Sequence, residues 1–424
     1  MARIEASSSW PGFAPDAVPA AVFDGAKTYL FDHPRPPLDF KPIEGSDRVR
    51  VFEGRYGGVD AKAKVRIGET WVAACRTARP VGDPGSGQAF TMRALAEVIL
   101  QQKFQIFLAR RHPDWVPDPA HQLVYPPDND RTLTLRRVEL AALRRAVEAE
   151  ADEDAASWAA EGLKHHVQRL GLLDAKTVRY ERDLERFEGI AEFMKCAASG
   201  GPAARLADVI AAEPAGGDGV PEGCIRTGCL ISYLLERFVP DWKERLDSGA
   251  IDDLERELAG AIAAYPPKPT FSITELIKIR RKAEDDLAAR NAARDSLFQE
   301  FLTRAGYRVE IITEEDPLRP VSIDCGGLVR LTANESLHRG PLTFKNDSAT
   351  LEILGGALSV HRGTPGAVRV LATGLADKPA IVKGRGRNQG VIVLRTEGWT
   401  LIGRGFKVIE SGTALTVILP GPPR

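Results

Sequence analysis

Hydrophobic positions along the chain change period twice. From residue 21 to about 80 the runs are short: AAVF, KTYLF, RVRVFEG and AKVRIGETWVAACR. Val, Tyr, Phe and Thr fill them, and Gly or Pro separates them, so they predict strands. Residues 1–20 form an irregular arm punctuated by proline, and Gly82 to Gly87 (GDPGSG) predicts a turn. From Thr91 to Arg111 the apolar residues are Leu95, Val98, Ile99, Phe104, Phe107 and Leu108. Their three- and four-residue spacing predicts a helix. Pro113, Pro117, Pro119, Pro126 and Pro127 make His112 to Asp130 a loop. A long Ala-, Leu-, Arg- and Glu-rich helix is expected from Leu133 to Trp158 or beyond, and another from Val178 to Ala198. Glu213 to Gly223 reads as a loop, and helices follow over Cys224 to Leu246 and Ile251 to Ala264. YPPKPT at 265–270 breaks the chain. Ser272 and Glu275 then form a capping-box pattern before a helix that runs to about Ala305. From Tyr307 onward apolar runs return with Gly and Pro between them, as in a sandwich or curled sheet.

The expected fold class is α+β. A β-rich N-terminal part packs on a mainly helical body, and an all-β domain follows. The expected organisation is an arm over 1–20, a body over 21–306 (β-rich over 21–90, helical over 91–306) and a β domain over 307–424. No internal repeat is evident.

Length and composition narrow the classes. At about 150 residues per domain, 424 residues suggest two to three domains. Hydrophobic residues at 43% and charged residues at 27% exclude a disordered or fibrous chain. Lys plus Arg number 57 and Asp plus Glu 58, so no global field favours nucleic acid or an anionic membrane. No apolar run is long enough for a membrane span. The cysteines (Cys75, Cys196, Cys224, Cys229, Cys325) are odd in number and lack CxxC spacing. Reduced, buried thiols are therefore expected, in a reducing compartment. The N-terminal residues lack the pattern of a signal peptide, so the cytoplasm is expected, or the periplasm or medium if a leader was trimmed.

Histidine is scarce: His33, His112, His121, His165, His166, His338 and His361. No two lie one helical turn apart with a carboxylate between them, as an H-E-x-x-H zinc hydrolase requires. Adjacent His165 and His166 beside Lys164 read as solvent-facing. GRGRNQG at 384–390 lies between strands with no following helix, so it is a basic hairpin turn rather than a phosphate loop. Cys325 in DCGG reads as a structural thiol, and no GxSxG nucleophile pattern occurs.

The most specific signal is RYERDLERFEGIAEF, Arg179 to Phe193. It resembles a segment of bacterial gluzincin-like metallopeptidases, in which a helix carries a pattern like E-G-L-A-E-Y. The similarity extends diffusely over most of the chain, including GCIRTGCLISYLLERFVPDWKERL. In that family the first Glu is the third zinc ligand, which the resemblance places at Glu188. The family's other metal helix reads H-E-x-x-H-x-x-Q. The best alignment puts Val98, Ile99 and Gln102 at the two histidines and the glutamate between them, with Gln105 at the final Gln. A shift of two residues puts Glu97 at the glutamate and Ala96 and Leu100 at the histidines. Neither frame supplies an imidazole, so no metal and no cofactor is expected there.

The resemblance then implies a cleft with a carboxylate. Desolvation there would favour the protonated form of Glu188 and suit it to acid–base work. Arg226 and Arg179 are candidate partners for a merely structural role, and Gly189 would then serve close helix contact. Gln102, Tyr180, Glu192, Arg226 and Glu139 are further candidate binding residues. Glu139 also reads as a helix-surface ion pair with Arg136 or Arg144. Arg226 and Thr227 precede Gly228 at an expected helix start, where backbone N–H groups attract anions. The expected function is a metal-independent lyase or hydrolase acting on a small organic molecule, aromatic compounds among them, with Glu188 as acid or base. The alternative is an inactive pseudopeptidase that binds peptide or protein. A zinc peptidase with unorthodox ligands ranks last.

Overall fold

The computed structural model describes residues 10–59, 62–77, 92–198, 220–268, 270–313, 315–383, 391–396 and 398–421. The turns expected at 82–87 and 384–390 lie outside them. The molecule is α+β, with an N-terminal sheet, a helical middle and C-terminal sheets. Two compact units divide it. The first takes the described residues of 1–117, 138–213 and 220–271, and the second those of 118–137 and 272–424.

In the first unit, the strands are β1 Ala20–Phe23, β2 Lys27–Phe31, β3 Lys41–Ile43, β4 Ser46–Glu53, β5 Lys62–Ile67 and β6 Thr70–Arg76. They form one sheet in the order β3-β4-β2-β1-β6-β5, with only β1 and β6 parallel. Alternation along β6 separates two cores. Val72 and Ala74 join Phe40, Leu30 and Ile67 on one face, whereas Ala73 and Cys75 meet helix α1 (Met92–Arg111) on the other.

The helices are α2 Asp130–Glu148, α3 Asp152–Leu170, α4 Ala175–Leu184, α5 Ile190–Ala198, α6 Val220–Phe238, α7 Trp242–Asp247 and α8 Leu254–Ile262. A π-turn, Glu185–Gly189, joins α4 to α5 without a break in the helical path. Apolar residues of α1, α3, α5, α6 and α8 form the largest core, and Trp10 packs edge-on against Phe104 and Trp242 there.

Several boundaries depart from expectation for identifiable reasons. The long helix breaks at 149–151. Arg237 donates to the carbonyls of Ala149 (2.6 Å) and Glu150 (2.8 Å) and to Asp152 (2.7 Å), satisfying groups that a continuous helix would have bonded internally. The second helix begins at Ala175, where the Asp174 side chain accepts from Lys176 and Thr177. Residues 220–223 are helical rather than loop, and α6 ends before Pro240, which has no N–H to continue it.

In the second unit, helix α9 (Ile273–Thr303) starts at the expected capping box, with both reciprocal bonds between Ser272 and Glu275 formed. The strands are β7 Tyr307–Thr313, β8 Arg319–Ile323, β9 Leu328–Arg330, β10 Glu335–His338, β11 Leu342–Lys345, β12 Ala349–Ile353 and β13 Ala357–His361, then β14 Ala367–Leu375, β15 Ala380–Lys383, β16 Val391–Thr396, β17 Trp399–Arg404, β18 Lys407–Ser411 and β19 Ala414–Leu419. They make two sheets, β18-β19-β7-β14-β13-β10-β9 and β15-β16-β17-β12-β11-β8. One core joins their inner faces, with Ile311, Val370 and Val417 against Phe344, Leu351 and Leu401. The outer face of the seven-stranded sheet packs Leu337, Leu358 and Leu371 on Phe301 of α9.

That sandwich core contains two buried histidines. The Ser359 hydroxyl lies 2.7 Å from His338 Nε2 and 2.8 Å from His361 Nε2. Burial pushes both imidazoles down, His338 to about 3 and His361 to about 4. The folded state therefore holds them neutral, and the unfolded chain binds protons first. Stability is fully present above about pH 6.5 and is lost as pH falls towards 4. The expected slope is about 1.4 kcal/mol per pH unit for each ring. Amide exchange of β10 and β13 between pH 6.5 and 4.5, before carboxylates titrate, reads this. Opening energies that stay flat across that window would refute it.

Candidate functional site

Helix α1 has two working faces. Val98 and Ile106 point to the sheet. Gln102 lies between them at four-residue spacing and is buried in the same stripe. Gln101 and Gln105 occupy the neighbouring stripe, which faces the π-turn and α5. Gln101 Nε2 donates to Glu192 Oε2 at 2.9 Å, and Gln105 Nε2 donates to Glu188 Oε2. The pairing runs in reverse order, so two amides one turn apart meet two carboxylates one turn apart on an antiparallel partner.

Glu188 has its charge partner on the sheet. Lys64 Nζ lies 3.8 Å from Glu188 Oε1, and the two side chains are 34% and 22% exposed, so solvent reaches both. Lys64 sits on edge strand β5 opposite Ala73, on the α1 side of the sheet, and its ammonium lies 5.1 Å from the centre of the Phe187 ring. Arg66, exposed two residues on, pairs in register with half-exposed Trp71. Arg179 pairs instead with Asp183 (3.8 Å). Glu192 is buried beside Lys195 and accepts from the Cys196 thiol at 3.9 Å.

The zinc implied by the metallopeptidase resemblance does not fit here. At the positions facing Glu188 and Glu192 the chain offers amide N–H donors, which already bond the carboxylates. Amides and an aliphatic side chain do not replace paired imidazoles.

Arg226 and Thr227 lie inside α6, two turns from its first residue, so their N–H groups are within the helix ladder and form no anion site. Tyr180 is buried on α4. Glu139 is not on the helix surface. It is 0% exposed and accepts from Arg169 Nε at 2.8 Å and Thr227 Oγ1 at 2.5 Å, while Arg136 and Arg144 turn to Tyr125 and Glu148. His166 is not solvent-facing either. Adjacent helical residues diverge by about 100°. His165 therefore reaches Glu161 near the surface, and His166 is 0% exposed.

These two residues belong to a polar cluster within the helical layer. His166 Nδ1 lies 3.2 Å from Glu139 Oε1, and its Nε2 lies 3.4 Å from Glu255 Oε2 and 3.7 Å from Glu185 Oε2. Arg169 joins Glu139 to Glu181. Burial alone would raise the Glu139 carboxyl, but Arg169 and then His166 outweigh it and hold it well below the usual range. Burial raises Glu185 to about 8 against the pull of His166. Burial alone would lower His166, but Glu185 and Glu139 raise it to about 10.

Close helix contact builds both arrangements. A Cβ on Gly189 would lie 2.7 Å from the Gly228 Cα, and one on Gly228 would lie 2.7 Å from the Glu185 Cα and closer still to its carbonyl oxygen. The α6 backbone thus rests on the π-turn. Among the described residues, no helix is long and apolar enough to cross a membrane.

Sequence reasoning missed Lys64, Gln101 and Glu185. The signal for Gln101 and Gln105 was their four-residue spacing, which matches that of Glu188 and Glu192. Comparison of the chain with protein-family models, curated proteins and solved structures finds no match, so its reading rests on these residues.

Proposed function

We propose that the protein is a metal-independent enzyme in which Glu188 performs acid–base chemistry on a small organic anion. One observation carries this reading: two opposite charges, Glu188 and Lys64, stand 3.8 Å apart and reachable from solvent. The buried Gln105 amide grips the other oxygen of Glu188. An amide grip of that kind orients a carboxylate for proton transfer. Lys64 would hold the negative charge of the substrate, and Arg66 adds a second cation on the same strand. The proposal keeps the gluzincin-like relation as its frame, with Gln101 and Gln105 at the spacing of paired imidazoles.

The test is a panel of small carboxylic acids, aromatic ones included, followed by mass spectrometry with wild type, Glu188→Gln and Lys64→Met. Glu188→Gln is expected to lower kcat by about a hundredfold or more, the usual contribution of a positioned acid or base. Lys64→Met is expected chiefly to raise KM. Unchanged turnover in Glu188→Gln would remove the carboxylate from the mechanism.

A second reading has its own support. β5 is the edge of its sheet among the described residues, and an extended peptide can add to such an edge. Peptides that bind with β5 amides protected from exchange, with no compound in the panel turned over, would favour a binding protein.

A further inference from the structure

We propose that the helical layer binds one divalent cation of the zinc class through Glu181, Glu185 and Cys224. The ligand atoms of Glu181, Glu185 and Cys224 lie within 4.8 Å of one another, and all three residues are buried. Their proximity follows from the glycine contact. Cys224 is one turn before Gly228 on α6, and Glu181 is one turn before Glu185, whose backbone Gly228 touches.

A separate observation points to a missing ligand. Glu185 Oε1 is buried and makes no hydrogen bond. Buried polar atoms are rarely left so. On the other side of Glu185, His166 Nε2 lies 3.4 Å from Glu255 Oε2 and 3.7 Å from Glu185 Oε2. Its Nδ1 lies 3.2 Å from both Glu139 Oε1 and the Arg169 guanidinium. Arg169, bonded to both Glu139 and Glu181, holds a first and a second carboxylate in place.

The donor set selects the ion. One sulfur and two carboxylate oxygens suit zinc with water in its fourth position, whereas calcium and magnesium take oxygen alone. Binding releases the Cys224 thiol proton, and any proton on the Glu185 carboxyl, to solvent. A groove of about 520 Å³ between α3 and α8, lined by Ala160, Val167, Ala259 and Tyr265, reaches Glu255, which lies 3.4 Å from His166 Nε2. The site is distinct from the Glu188–Lys64 pair, which faces α1 and β5.

The test uses the full chain, dialysed after zinc addition, with metal content measured by mass spectrometry. About one zinc per chain is expected in wild type and in Glu188→Gln, and at least tenfold less in Cys224→Ser and in Glu185→Gln. Cobalt added to the metal-free wild type should give a thiolate-to-cobalt absorption band, which tests Cys224 ligation even if a variant fails to fold. Wild type that takes up no stoichiometric metal overturns the proposal. So does zinc retained by Cys224→Ser, zinc lost in Glu188→Gln, or cobalt bound without the thiolate band.

Discussion

Gly228→Ala is expected to lower the stability of the first unit by about 3 kcal/mol or more, at the upper end of overpacking costs. The added methyl would sit 2.7 Å from the Cα and carbonyl carbon of Glu185. Those atoms are backbone within a continuous helical path, so neither can rotate away. The only relief is separation of α6 from the π-turn, which opens the core around Cys229, Leu230 and Phe187. Gly260→Ala is the control. Its Cβ meets nothing within 4 Å, and it lies inside α8, so the change is expected to be neutral or to stabilise by about 0.5–1 kcal/mol. Chemical denaturation of both variants checks the pair. Equal midpoints would mean that the α6 contact is not what sets the stability of this unit. The same separation would draw Cys224 away from Glu185, so zinc uptake and stability should fall together in Gly228→Ala.

The legible features were local ones. The capping box at Ser272 and Glu275 depends on four consecutive residues and formed as its pattern implied. The strands after Tyr307 follow alternation, which needs only one buried face per strand. The helix carrying Glu188 and Glu192 was likewise evident from its own residues. What escaped the sequence depended on which element lies opposite. Gln102 and Gln101 are adjacent and chemically identical. Only the packing of Val98 and Ile106 on the sheet decides that Gln101 faces Glu192. His166 looked like a surface residue because Lys164 and His165 flank it. Its burial is made tolerable by carboxylates from α2, the π-turn and α8, more than 15 residues away in each direction. Lys64 lies on a strand far from Glu188 in the chain, and no spacing rule connects them. The break at 149–151 has no Pro or Gly to announce it, because the group that stabilises it, Arg237, comes from α6.

Arg169→Met is expected to destabilise the first unit by about 3–5 kcal/mol at pH 7, the usual cost of stripping the partner from a buried charge. Arg169 is 1% exposed and is the guanidinium shared by Glu139 and Glu181, both fully buried. Without it, His166 is the cation left against Glu139 within the cluster, and burial then works to raise that carboxyl. The pH dependence follows from the direction of the shift. In wild type Glu139 titrates well below its unfolded value, so its contribution is present above about pH 4.5 and is lost as pH falls below that. In Arg169→Met the folded chain would take up a proton at Glu139 before the unfolded chain does. The deficit relative to wild type should therefore shrink as pH falls from 7 towards 4.5. Arg169→Lys should recover little, since a single ammonium cannot donate to two carboxylates with the fixed fork of a guanidinium. Arg169→Met combined with Glu139→Gln should cost less than the sum of the single changes, because each removes the burden that the other leaves unpaired. Denaturation of wild type, the three single variants and the double variant at pH 7 and pH 5 reads all of this. Strict additivity, with a deficit that does not change with pH, would show that Arg169 holds the layer by packing alone.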